Sequence, residues 1–158
     1  LPHDAGSPFN TLQDVFLGPL TEAQMRGLIL QPGVAPPDDA TMARILALCG
    51  GRPYLAQRLC EAALDRTYAE GRMRMELADI EAVTRETLVT GLAHQHEKRW
   101  GELAGTPAAQ AAIVAHARTS AAAPRALHDT LREHGLFDGL EWTVDSAFMM
   151  WIRERETT

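Results

Sequence analysis

The sequence contains a single lysine, Lys98, set between Glu97 and Arg99. A phosphate-binding loop needs glycines whose amides cradle phosphate and a lysine that reaches it, in the pattern G-x-x-x-x-G-K-S/T. No such motif lies in this chain, and no aspartate closes an apolar strand as a Walker B motif would, which argues against ATP hydrolysis by this chain alone. Cysteine is nearly as scarce. Cys49 and Cys60 fall on apolar helical faces, and two small buried thiols in a reducing cytoplasm fit them better than a disulfide. Apolar runs approaching the ~20 residues of a membrane span are missing. So is an opening basic segment followed by an apolar one, and the expectation is a cytoplasmic protein with no membrane partner. Positive charge is in deficit: 15 Lys and Arg against 21 Asp and Glu give a net charge of −6, leaving no general pull toward nucleic acid.

Catalytic constellations are also missing. His94, His96 and Glu97 invite a metal, yet residues i and i+2 of a helix point to different faces, and no H-E-x-x-H pattern occurs. His116, His128 and His134 are scattered. There is no Gly-x-Ser-x-Gly elbow, and neither cysteine has the basic, exposed setting that lowers a thiol pKa. No catalytic residue, no metal ligand and no cofactor of the chain's own is assigned, and the expectation is a non-enzyme.

What is present is ordinary globular composition, 46% hydrophobic and 23% charged over 158 residues, enough for one core or two small ones. The chain opens on Leu1 rather than methionine, which fits a piece of a longer protein. Its organising stretch is Cys49-Gly50-Gly51-Arg52-Pro53-Tyr54. Met42, Ile45, Leu46 and Cys49 recur at helical spacing, Gly50 supplies a left-handed stop, and Pro53 suits the first turn of the next helix. Leu55, Leu59, Ala63 and Leu64 carry the apolar face of that helix. Upstream, Thr21 and Gln24 form a capping box for a helix over 22–31, with Val15-Phe16-Leu17 before it as a strand or extended lead-in. Asp38 or Asp39 caps the helix that ends at Cys49. Gly71 stops the helix begun at Pro53, and Asp79 caps another through Ile80, Val83 and Leu88, interrupted near Gly91 and running to Leu103.

The run from Gly50 to Cys60 resembles the Gly-Gly-x-Pro-Tyr-Leu-x-Gln segment in the helical lid of AAA+-type and STAND-type signalling ATPases. Leu17 to Glu22 likewise looks like the Leu-x-x-Leu-Ser/Thr-x-x-Glu phrase by which the chain enters that lid from the nucleotide-binding core. The resemblance implies that Gly50, Gly51, Arg52, Pro53 and Tyr54 face nucleotide in an intact parent. Pro53 and Tyr54 would lie against the adenine, with Arg52 near phosphate or a neighbouring subunit. ATP or ADP would be the parent's ligand, and its P-loop core the main partner, beside an unknown protein.

Past Gly105 the pattern resets. Thr106 and Pro107 open a helix carrying Ile113 and Val114, and a second helix runs from about Pro124 to His134 and stops at Gly135. Asp138-Gly139 signals a hairpin between apolar-rich runs, and a last helix holds Phe148, Met149 and Trp151. This order resembles a winged helix with a very short wing, although 118–123 is short for a full additional helix. The expected fold is thus mostly α: residues 1–20 a lead-in, 21–104 a helical lid bundle, and 105–158 a winged-helix domain with one short β-hairpin.

Two further functions stay open. Arg125, His128 and Arg132 on the candidate recognition helix would meet phosphates or a guanine edge if the winged helix bound DNA, although Asp129, Glu133, Asp138 and Glu141 oppose it. A helical adaptor with no nucleotide role would instead present an exposed apolar patch near Met73–Met75 or the Trp151 helix, since Trp142 and Trp151 suit either a core or a docking surface.

Overall fold

Thr21 starts the first helix of the computed structural model, which describes residues 19–30, 33–138 and 141–157. The Thr21 hydroxyl accepts the Gln24 amide at 3.3 Å while the Gln24 side chain accepts the Thr21 amide at 2.9 Å, the expected capping box. Helix α1, Glu22–Ile29, stops two residues short of the expected Gln31, with Leu30 as its C-cap. The expected lead-in strand at Val15–Leu17 lies outside the described residues. Asp38 accepts the Thr41 amide at 2.8 Å and opens α2, Asp39–Cys49. Gly50, at φ 54°, closes that helix in the left-handed conformation. Pro53 opens α3, Pro53–Ala69, and Gly71 follows its end at φ 73°.

Helix α4, Leu77–Thr84, corrects the sequence-based expectation at its start: Glu76 occupies the cap position and Asp79 lies three residues on. There Asp79 accepts the Glu76 amide at 2.9 Å, the Thr67 hydroxyl at 3.2 Å and the Arg72 guanidinium at 2.5 and 2.8 Å. A carboxylate buried to 1% exposure needs such partners. The interruption expected near Gly91 is wider than a glycine kink: a π-helical turn spans Arg85–Thr90 before α5, Ala93–Glu102.

Helix α6, Pro107–Thr119, has Pro107 in its first turn, but the Thr106 side chain makes no cap hydrogen bond. The helix expected over 124–134 forms in part, with its start tightened. Pro124 is extended, Arg125–Leu127 form a 3-10 turn, and α-helical geometry starts only at α7, His128–Glu133. The His128 ring turns back to bond the Ala123 carbonyl at 3.1 Å, which holds the tightened turn in place. Gly135 then reverses the chain at φ 63°. Strands β1, Phe137–Asp138, and β2, Glu141–Trp142, pair antiparallel with Phe137 opposite Trp142 and Asp138 opposite Glu141. Asp138 is therefore inside the ladder, one position out of the register expected for an Asp-Gly loop. The edge-on packing of the Phe137 and Trp142 rings, 6.0 Å apart, favours this register. Helix α8, Ser146–Arg155, is capped by Asp145 through the Phe148 amide at 2.8 Å.

Two apolar clusters result. Met25, Ile45, Leu59, Ile80 and Leu88 are fully buried in the first, formed by α1–α4. Ile113, Leu131, Leu136, Phe148 and Ile152 fill the second, around α6–α8 and the hairpin. The π-helical turn and α8 join them: Leu88 and Ala147 belong to the first cluster, Val89, Phe148 and Trp151 to the second. At roughly 1.5–3 kcal/mol for each large apolar side chain buried, Phe148, Trp151 and Ile152 make apolar burial the main force seating α8.

Candidate functional site

The Gly50–Tyr54 turn is assembled from backbone hydrogen bonds. The Gly50 amide donates to Leu46 O at 3.0 Å, and the Arg52 amide donates to Cys49 O at 3.0 Å. Gly51, at φ 75°, carries a carbonyl that accepts the Leu20 amide at 2.7 Å. No other residue fits there, because a Cβ would stand 2.5 Å from Leu20 O and 2.9 Å from the Pro19 Cβ. The lead-in to α1 is therefore pinned onto the turn between α2 and α3. Cys49 is buried and Cys60 half-buried; both thiols are free, and burial pushes them up to about 12 and about 11.

The far side of the turn opens on a cleft of about 850 Å³. Gly51, Arg52, Pro53 and Tyr54 form one wall, and the exit from the π-helical turn and α5 contribute Leu92, His96 and Arg99. The opposite wall comes from the C-terminal unit, including Arg132, His134, Phe137, Thr143 and Asp145. Of the five residues expected to face nucleotide, four line this cleft; Gly50 does not. Pro53 and Tyr54 are exposed, and the Arg58 guanidinium lies 5.8 Å from the centre of the Tyr54 ring.

Arg52 is engaged within the chain. Its Nη2 donates to the Thr143 carbonyl at 2.6 Å, and its Nε lies 3.9 Å from Asp145 Oδ2. Asp145 also accepts Arg99 Nη1 at 2.6 Å. Burial raises the Asp145 pKa, but the Phe148 amide and the Arg99 and Arg52 charges outweigh it and hold the carboxyl below its ordinary value. Next to it, the Ser146 hydroxyl donates to Ala47 O in α2 at 3.1 Å. Thr143, Asp145 and Arg99 were not among the sequence-based candidates. Asp145 had a local signature, an aspartate three residues before the first large apolar residue of a helix; the pairing of Arg99 with it across 46 positions had none.

The remaining candidates are dispersed. His94 is exposed, whereas His96 is buried, donates Nε2–H to Leu88 O at 2.9 Å, and packs beside Phe148 and Trp151 with ring centres 5.7 and 5.8 Å away. Of the DNA-contact candidates, Arg125 is exposed, Arg132 pairs with Asp129 at 2.8 Å, and the His128 ring packs 4.4 Å from Phe137. The suggested apolar patch at Met73–Met75 is divided, since Met73 is 74% exposed and Met75 belongs to the core. Trp151 is buried, and half-buried Trp142 stacks on His116 at 4.6 Å. Among the described residues no helix is long and apolar enough to cross a membrane. No family model matches the chain, and no curated protein or solved structure matches it either.

Proposed function

We propose that this chain is the helical lid and winged helix of a nucleotide-switched ATPase resembling the STAND or AAA+ class, a regulatory part with no catalytic group of its own. One observation carries this reading. The two segments that hold the resemblance lie thirty residues apart in sequence, and they meet through the bond from Leu20 to Gly51, with Pro53 and Tyr54 at the mouth of a cleft beside them. In the intact parent, Pro53 and Tyr54 rest on the adenine of ATP or ADP held by the P-loop core. Bound nucleotide keeps lid and C-terminal unit against that core, and exchange releases them for docking to a protein partner in the cytoplasm. The order α6, α7, hairpin, α8 serves as the winged helix, with the paired residues 137–138 and 141–142 as its short wing. Pro53→Ala in the intact parent is expected to weaken ADP binding about tenfold, a loss of about 1.4 kcal/mol, measured by calorimetric titration. Unchanged ADP affinity would overturn this function.

A further inference from the structure

The cleft is closed on one side by contacts between its own walls. Arg52, on the α2–α3 turn, reaches across to the Thr143 carbonyl and to Asp145, the residue that caps α8. Arg99 holds the same carboxylate from α5. Arg132 and His134 also line the cleft, so three arginines and two histidines, His96 and His134, face the space with the carboxylates of Asp138 and Asp145. The Arg52 side chain retains 36% exposure, so it is reachable from solvent.

From these placements we infer that Arg52 is a latch that an anion opens: a phosphate group entering the cleft takes the Arg52 guanidinium from Thr143 and Asp145 and loosens segment 143–148. This rests on the nucleotide-facing reading of the turn and adds its regulation. A phosphate oxygen is a stronger acceptor for a guanidinium than a peptide carbonyl and can be gripped by two N–H groups at once. The 3.9 Å separation between Arg52 and Asp145 is too long for a hydrogen bond and leaves a weak, screened contact to displace. Trp151 and Ile152 stay seated in the C-terminal cluster, so the movement is confined to the start of α8 and the residues before it. Ligand binding and docking of this segment on the turn thereby oppose each other.

The test is amide hydrogen exchange of the 158-residue chain, read at Thr143 and Phe148, whose amides bond Leu136 O and the Asp145 carboxylate. Removing a charged hydrogen bond in Arg52→Ala is expected to speed exchange there roughly tenfold, with α1–α3 unchanged. Sodium pyrophosphate should give the same increase in the wild-type chain and nothing further in Arg52→Ala, while sodium chloride at matched ionic strength has no such effect. Arg26→Ala, which removes an ion pair with Glu22 on α1, serves as the control that leaves segment 143–148 unaltered. ADP acting at lower concentration than pyrophosphate identifies a nucleotide as the source of the phosphate; equal concentrations identify phosphate alone. Unchanged exchange in Arg52→Ala overturns the latch. Faster exchange in the variant with no pyrophosphate response in the wild type overturns the coupling to an anion, and it does so independently of the ADP affinity of the intact parent.

Discussion

The backbone amide of Leu20 donates to the carbonyl of Gly51 at 2.7 Å, and a Cβ added to Gly51 would stand 2.5 Å from the carbonyl oxygen of Leu20. The bond and the missing side chain are one feature. Only a residue without Cβ lets the lead-in approach closely enough to make that bond, and only a positive φ turns the carbonyl toward it.

The adjacent glycines therefore separate two effects. Gly50 has φ 54° with open space around its would-be Cβ, so Gly50→Ala carries only the left-handed backbone penalty, about 1 kcal/mol. Gly51→Ala adds a collision with backbone and is expected to lose about 3 kcal/mol or more in urea unfolding. Equal losses in the two variants would show that the docking of Leu20 on the turn contributes nothing.

Asp79 ties the α3–α4 connection through Thr67, Arg72 and Glu76. The Arg72 guanidinium beside it holds its carboxyl well below the usual range, against the opposing effect of burial. A carboxyl lowered in the folded state stabilises fully above its unfolded pKa, and that contribution is lost as pH falls from about 4 toward the folded value. Asp79→Asn should cost about 2 kcal/mol at pH 7, with Arg72 only partly buried, and progressively less below about pH 4. Denaturant midpoints of the two proteins at pH 7 and pH 3 measure this; a gap of equal size at both would refute the charge as its origin.

Features written in adjacent residues were legible before folding was considered. The capping box at Thr21 and Gln24, the cap at Asp38, Pro53 in the first turn of α3, and the glycine stops at Gly50, Gly71 and Gly135 each depend on a few neighbouring side chains and backbone angles. Elements decided by competition were less so. Asp79 looked like a cap because aspartate favours that position; its burial against Thr67 and Arg72 instead placed it within the first turn of α4, three residues after the cap. The Asp138-Gly139 pair favoured a loop at those residues, and the packing of Phe137 on Trp142 moved the register by one.

The sequence by itself determined the mostly helical class, the corner between α2 and α3 and the hairpin, because these follow from hydrophobic period, capping chemistry and glycine. Only the tertiary structure decided that the lead-in docks on Gly51, that α8 joins both apolar clusters, and that Arg52 meets Thr143 and Asp145 some ninety residues away. Such contacts are set by how packed helices bring distant backbone together. No local pattern encodes that distance.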